Sequence, residues 1–261
     1  MFTLWEKRMG SFIENKTKLL DNDNSRNFVN ASKQSCNTKK VGLKEKDTVN
    51  DIDFTLKRCK SFLTIYLLTI DDKDSIDVSD LKENEKKVVL SYKRKEDQLM
   101  KFAASLLIDK YLKAPIEKNG YGKPFILSGP NISISDCYPY VLLVISNYLV
   151  GVDIEKELVF SKNLINQCFT NKEINQKIDY TLLWTMKEAS YKLNGNKEFV
   201  PLIDEIILKN ENCICFDKNE YYLLSKKMND YYYSVVLENK PENMELINVS
   251  YQDLIEERRC L

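Results

Sequence analysis

The sequence predicts an α+β fold, in which strands and helices come in blocks rather than as a regular strand–helix repeat. The first apolar run, residues 62–70, is rich in β-formers and stops at two aspartates. Residues 131–155 alternate in three short runs separated by turns, and a further series of strand-like runs follows residue 204. Helical apolar spacing appears both before and after these central strands. The order divides the chain after residue 60 into two similar halves, 61–147 and 148–261.

Residues 1–60 precede this pattern and are rich in lysine, asparagine and serine, with no sustained apolar period. We therefore expect a poorly ordered extension. Its excess of basic residues leaves two interpretations open, a solvated tail or a segment that attracts an acidic partner.

The first half is predicted to contain one strand, two helices and the beginning of an antiparallel meander. The first helix is capped by Ser79 or Asp80 and runs to about Leu90, and the second covers residues 99–112. A basic run, Lys93-Arg94-Lys95, lies between them and is preceded by Lys86 and Lys87. Such charges are commonly solvated helix surface, and this interpretation stays open beside a functional one. A glycine turn at 119–125 then leads into predicted strands at 131–135, 140–145 and 149–155, the last of which opens the second half.

In the second half, the most informative stretch is the predicted helix from Leu182 to Gly195. Apolar residues at 182, 186, 189 and 193 recur at helical spacing and predict a buried face. Trp184, Glu188 and Lys192 stand four residues apart on a second face, and Asn194-Gly195 supplies a left-handed stop. Upstream, Thr170 and Glu173 have the spacing of a capping box.

Composition excludes several classes of function. Lysine plus arginine and aspartate plus glutamate both number 39, so no overall positive field favours nucleic acid. The chain has no histidine, which excludes a histidine triad and histidine-ligated zinc. No apolar run is long enough to span a bilayer. Seven scattered cysteines without a secretory segment are typical of reduced thiols, and we expect a cytoplasmic protein.

Asp153 and Glu155 are the first candidates for a functional site. They are two residues apart on a predicted strand, so their carboxylates share one face and repel each other unless a cation satisfies them. A hard divalent ion such as Mg²⁺ prefers such oxygen ligands. Residue types alone leave simpler interpretations open, because Glu188 and Lys192 also make an ordinary i, i+4 helix pair and Lys123 resembles a surface lysine.

The order and spacing of three motifs resemble one family. Gly-x-Gly-Lys-Pro ends at Pro124, Gly-Val-Asp-Ile-Glu ends at Glu155, and Trp-Thr-Met-Lys-Glu-Ala-Ser-Tyr-Lys ends at Lys192. Over residues 61–257 this pattern resembles the 4′-phosphopantetheinyl transferase superfamily, in its larger, two-lobed Sfp-type class. The resemblance implies two α/β lobes related by pseudo-twofold symmetry, each a small mainly antiparallel sheet packed with helices.

The resemblance also implies an activity. The phosphopantetheine arm of coenzyme A is transferred to a serine of an apo carrier protein, leaving adenosine 3′,5′-bisphosphate. The metal is Mg²⁺, with Mn²⁺ as an alternative, and the implied ligands are Asp153, Glu155 and Glu188. Among these, Glu188 is also the expected base or its positioner, and Lys192 and Asp153 complete the catalytic set. The implied contacts to coenzyme A are Lys123, Pro124, Ser133, Lys187 and Lys192. We also expect Lys93, Arg94 and Lys95 of the basic run to bind coenzyme A.

Two departures from the family pattern fall at the nucleotide end. The family usually has a histidine between two serines where this chain has Ile134, and a helix arginine appears here as Met100 beside Lys101. We expect that the transfer chemistry is retained and that coenzyme A is bound more weakly or in an altered way. The alternatives are a degenerate, non-catalytic binder of coenzyme A or carrier proteins, and an unrelated Mg²⁺-dependent nucleotide enzyme. The expected partner is an acyl or peptidyl carrier protein from secondary metabolism, with no nucleic acid, no membrane and a monomeric enzyme.

Overall fold

Two main sheets and the helices around them make up the part of the chain that the computed structural model describes, residues 60–196 and 199–260, which belong to one unit of the chain. The strands are β1 (Phe62–Thr69), β2 (Ile116–Lys118), β3 (Pro124–Ile126), β4 (Asn131–Cys137), β5 (Tyr140–Ser146), β6 (Val150–Lys156), β7 (Ile206–Asn210), β8 (Cys213–Phe216), β9 (Asn219–Met228), β10 (Tyr231–Leu237) and β11 (Asn243–Ser250). The helices are α1 (Glu83–Val89), α2 (Lys95–Tyr111), α3 (Lys162–Cys168), α4 (Asn171–Asn175), α5 (Tyr180–Asn194) and α6 (Tyr251–Arg259). This arrangement confirms the predicted α+β class.

The first sheet has the strand order β11-β1-β5-β4. β5 is antiparallel to both of its neighbours, whereas β11 is parallel to β1, with Phe62 opposite Asn243. Consequently β11 and α6, which come last among the described elements, belong with the first sheet. The halves expected from the sequence, 61–147 and 148–261, therefore do not follow the sheets.

The second sheet has the order β6-β10-β9-β8-β7, with every neighbouring pair antiparallel. The sequence predicts β6 as the third strand of a meander after β4 and β5, and this was wrong. The backbone groups of β6 pair instead with β10, from Val150 opposite Leu237 to Lys156 opposite Tyr231. β6 nevertheless lies against β4, so the edges of the two sheets meet along these strands.

Alternation along β1 explains the layering of the core. Leu63, Ile65 and Leu67 join a cluster that also contains side chains from β5, β6 and β10, so the two sheets share this core. Leu68 points the other way, into a second cluster filled by α2 and α6. α5 covers β6 and β10. Because the side chains of a strand point alternately to its two faces, one apolar strand can serve both cores.

The first helix begins later than predicted. Asp77 caps a separate 3-10 turn at Val78–Asp80 by accepting a hydrogen bond from the backbone N–H of Ser79, and Leu81 is extended. α1 therefore starts at Glu83. The expectation of a poorly ordered extension at 1–60 falls outside the described residues, apart from Lys60. Within the described ranges, no helix is both long and apolar enough to cross a membrane.

Candidate functional site

α5 is the helix predicted from the sequence, extended by two residues at its start. The Asp179 side chain caps it by accepting from the N–H groups of Thr181 and Leu182, and Gly195 ends it in the left-handed region at φ 53°. Met186, Ala189 and Leu193 are buried as expected, but Leu182 is only partly buried. Trp184 also differs from its prediction, since it is buried and packs edge-on against Phe199. The functional face is therefore reduced to Glu188 and Lys192.

Gly151 allows α5 to lie directly on β6. A Cβ atom at this position would stand 1.9 Å from the carbonyl oxygen of Ala189 and 2.5 Å from the backbone nitrogen of Leu193. Only glycine fits so close an approach of strand and helix. The glycine of the Gly-Val-Asp-Ile-Glu motif therefore sets the distance at which side chains of α5 reach those of β6.

Lys192 is the centre of the site. Its Nζ lies 2.6 Å from Oδ1 of Asp153 and 3.7 Å from Oε2 of Glu188. Asp153 is 1% exposed, whereas the side chains of Lys192 and Glu188 are 26% and 16% exposed. The structure thus brings together three residues predicted for the site, with the aspartate at the bottom and the other two reaching towards solvent.

Two serines of β4 contact the same region from the first sheet. Ser135 donates a hydrogen bond of 2.9 Å to Oδ1 of Asp153 and lies 3.1 Å from Lys192 Nζ, which donates to it. Ser133 accepts a 3.0 Å hydrogen bond from the backbone N–H of Val152. Ser133, which was expected to touch phosphate, therefore links the two sheet edges in this structure, while Ser135 enters the charged cluster.

The carboxylates fit a hard divalent cation in their chemistry. Oδ2 of Asp153 is buried and has no hydrogen-bond partner among the described residues, and a buried carboxylate oxygen left in that state is costly. Glu155 follows two residues later on the same strand. Within residues 60–196 and 199–260, no group of three or more histidine, cysteine, aspartate or glutamate side chains stands in an arrangement that could hold a metal ion. The donors suit Mg²⁺, but they are not preassembled around it.

Lys123 lies at the C-terminal end of α5, one turn or less from Lys192. Its Nζ donates to the carbonyl oxygen of Leu193, and Asn119 Nδ2 donates to the carbonyl oxygen of Gly195 at 2.6 Å. Burial lowers the pKa of the Lys123 amine to about 8. The turn that carries Lys123 and the half-buried Pro124 therefore binds the last carbonyl groups of the helix, which have no partner within the helix itself.

Lys187 is placed in the interior rather than at the site. Its side chain is fully buried, and its amine donates to Oε1 of Glu173 and to the carbonyl oxygen of Asp204. Burial lowers the pKa of this amine, an effect that the Glu173 carboxylate opposes. The expected contact between Lys187 and coenzyme A does not fit this position, because the ammonium group is enclosed by protein.

The basic run lies before and at the start of α2. Lys93 and Lys95 are exposed, and Arg94 pairs with Glu96. Farther along the helix, Lys101 Nζ lies 2.8 Å from Oδ1 of Asp136, the residue after Ser135. This ion pair places the first turns of α2 beside the end of β4 that reaches the site.

The two positions that depart from the family pattern both contact the second cluster, which α2 and α6 fill. Met100 is buried among the residues packed by α2, and Ile134 packs against the same cluster. Ile134 stands between Ser133 and Ser135 on β4, so its side chain points to the opposite face from both serines.

The sequence did not indicate the roles of two residues in the site region. These are Ser135, which contacts Asp153 and Lys192, and Glu173, which pairs with Lys187. Ser135 had a usable signal, because it stands two residues after Ser133 on an alternating strand and must share its face. The only signal at Glu173 was its capping-box spacing from Thr170, which the structure confirms. That spacing could not predict the contact with Lys187, fourteen residues later.

Comparison with known proteins supports the same region. The profile of the 4′-phosphopantetheinyl transferase superfamily matches residues 149–236, which include β6 and α5. The 4′-phosphopantetheinyl transferase gsp of Aneurinibacillus migulanus is 28% identical over 169 residues, covering 58% of this chain and 68% of that protein. The segment that the family profile matches carries Asp153, Glu188 and Lys192.

Proposed function

We propose that this chain, which is similar to the 4′-phosphopantetheinyl transferase superfamily, transfers the 4′-phosphopantetheine group of coenzyme A to a serine of an apo carrier protein. The products are the holo-carrier protein and adenosine 3′,5′-bisphosphate. The observation that carries the proposal is the convergence of Lys192, Asp153 and Glu188 at one partly open position. A cation within ion-pairing distance of two carboxylates can serve transfer from a pyrophosphate to a hydroxyl group, because it can bind phosphate oxygens while a carboxylate accepts the hydroxyl proton.

A divalent metal, Mg²⁺ with Mn²⁺ as an alternative, would supply positive charge to the pyrophosphate as its bond breaks. Asp153, Glu155 and Glu188 are the residues proposed to hold it. Oδ2 of Asp153, which has no hydrogen-bond partner within the described part of the chain, supports this assignment, and Glu155 supplies a second carboxylate on the same face of β6.

The remaining roles belong to side chains of the chain itself. Lys192 binds phosphate oxygens, since its ammonium group is partly exposed above Asp153. Glu188 is the more exposed of the two carboxylates that Lys192 approaches, and we assign it the proton of the attacking carrier serine, accepted directly or through water. Lys187 is left out of this set, because its amine is bound inside the protein.

The nucleotide end is proposed to differ from that of typical family members. Ile134 offers no hydrogen-bond donor where the family usually has histidine, and Met100 is buried. Lys93 and Lys95 are exposed just before and at the start of α2, and the Lys101–Asp136 ion pair joins that helix to β4. We assign the 3′-phosphate to this basic run, with Ser133 and the Lys123-Pro124 turn as further contacts to coenzyme A.

The first experiment follows the mass of an apo carrier protein incubated with the enzyme, coenzyme A and Mg²⁺. We expect a gain of one phosphopantetheine group with at least one acyl or peptidyl carrier. Glu188→Gln should abolish the gain, whereas the exposed Glu211→Gln should not. Coenzyme A binding without a mass gain on any of several carriers would overturn transfer in favour of a non-catalytic binding protein.

The second experiment compares coenzyme A with dephospho-coenzyme A by isothermal titration calorimetry. If the basic run contacts the 3′-phosphate, coenzyme A binds more tightly, and replacing Lys93 and Lys95 together by methionine removes the difference. Equal affinity of the wild-type protein for the two ligands would show that the 3′-phosphate is not recognised. We also propose that the protein is a monomer, and sedimentation of the protein with bound coenzyme A would give its mass in solution.

A further inference from the structure

Ser135 joins the charged side chains of α5 and β6 to the first sheet. Its hydroxyl group donates to Oδ1 of Asp153 and accepts from the ammonium group of Lys192, so one small side chain contacts both members of the ion pair. Ser135 is 7% exposed, and Asp153 is 1% exposed. Hydrogen bonds to charged groups in such surroundings are stronger than those between neutral groups.

We propose that Ser135 is a positioning residue for the transfer reaction, which orients the Asp153 carboxylate so that its second oxygen is presented to the metal and which holds Lys192 beside it. The inference rests on the proposed function. Ser135 belongs to the first sheet, whereas the charged residues of the site belong to β6 of the second sheet and to α5.

The geometry of the carboxylate explains this role. The hydrogen bonds that Ser135 and Lys192 donate to the Asp153 side chain both end on Oδ1, and Oδ2 has no hydrogen-bond partner among the described residues. Two donors on one oxygen fix the rotation of the carboxyl group and leave the other oxygen available. With Lys192 alone, whose long side chain is flexible, the carboxyl group can turn and exchange its two oxygens.

Comparison with Ser133 shows that Ser135 does more than hold the two sheets together. Ser133 accepts from the backbone N–H of Val152 and so already links β4 to β6. Ser135 adds no backbone contact to that link, since its hydrogen bonds go to two charged side chains. Its loss should therefore change the ligand chemistry of Asp153 more than the stability of the fold.

The experiment titrates Mn²⁺ into the full-length protein and measures the unbound ion by electron paramagnetic resonance, with and without coenzyme A. Ser135→Ala should weaken Mn²⁺ binding about 10- to 100-fold, the usual effect of removing a hydrogen-bond partner of a metal ligand. Ser135→Thr, which retains the hydroxyl group, should restore most of the affinity. Ser146→Ala is the matched control, because Ser146 is a buried serine of β5 that donates to the carbonyl oxygen of Phe62.

The possible results separate the inference from the proposed function. Wild-type affinity in Ser135→Ala would overturn the positioning role and leave the metal role intact. A wild-type protein that binds no Mn²⁺ under either condition would overturn both. Equal losses of affinity and of thermal stability in Ser135→Ala and Ser146→Ala would show a general packing effect and would also contradict the inference.

Discussion

Lys192 Nζ and Asp153 Oδ1 lie 2.6 Å apart, and this ion pair connects the helix that carries the Trp-x-x-Lys-Glu motif to the strand that carries the Gly-x-Asp-x-Glu motif. Asp153 and Lys192 are separated by 39 positions in the sequence. Their functional groups meet because Gly151 allows the helix backbone to approach the strand.

Replacing Lys192 by methionine should lower kcat/KM for transfer by about 100-fold or more, because a positive group that stabilises the transferring phosphate is lost. The methionine keeps most of the volume of the lysine stem, so folding should be retained. Steady-state kinetics with a carrier protein test this prediction. Lys226→Met, which removes an exposed lysine of β9, is the control, and equal activity of the two variants would contradict the assignment.

Gly151→Ala should destabilise the protein by about 1–3 kcal/mol or more, as expected when a methyl group is forced into a packed contact. The added carbon would collide with the backbone of α5 and move Lys192 away from Asp153. Urea unfolding measures the first effect and transfer assays the second. Gly120→Ala provides the comparison, since a Cβ atom there meets nothing within 4 Å. Similar unfolding midpoints for both variants would show that the helix adjusts freely.

Lys187→Met should destabilise the fold by about 3–5 kcal/mol, because it leaves the buried Glu173 carboxylate without its cation. Coenzyme A affinity, measured under conditions where the variant is folded, should stay near that of the wild type. A stable variant with weakened coenzyme A binding would instead support the family-based expectation that this lysine contacts phosphate. Calorimetric titration and denaturant unfolding together separate the two outcomes.

Lys123 should make stability depend on alkaline pH. Burial lowers the pKa of its amine to about 8 in the folded protein, whereas an unfolded lysine titrates at about 10.4. Between these values the unfolded chain holds a proton that the folded chain has released, so the contribution of this group to stability increases with rising pH. The free energy of unfolding of the wild type should therefore increase relative to Lys123→Met between pH 8 and 10.

The exposed Lys118→Met serves as the control for that measurement, since its lysine lies on β2 without burial. Wild type and Lys123→Met curves that stay parallel across the same pH interval would show that the amine keeps an ordinary pKa in the folded protein.

Local patterns predicted the elements well, because helix periodicity, caps and strand alternation depend on nearby residues. α5 ends at Gly195 as expected, and Thr170 and Glu173 form the predicted capping box. Pairing between distant strands was not predictable in this way. The pattern of β6 fits a meander as well as it fits pairing with β10, because either neighbour satisfies its backbone groups.

The site was predicted in part for the same reason. Asp153, Glu188 and Lys192 meet as the motifs indicate, but the sequence alone could not show that Lys187, one residue before Glu188, points into the protein. Its direction is decided by Glu173 and Asp204, which lie on other elements. The alternation of β4 puts Ser135 on the same face as Ser133, but its contact with Asp153 depends on the packing of β4 against β6, which the sequence does not show.

The parallel pairing of β1 with β11 has a consequence for how the protein is made. Ser61 and Glu242, 181 residues apart, are joined by a hydrogen bond of 2.9 Å at the start of this pairing. On the ribosome, β1 emerges long before its partner, so one side of the strand stays unpaired while most of the chain is synthesised. Nascent or truncated chains that lack residues 243–250 should therefore expose an apolar edge and depend on chaperones to avoid aggregation.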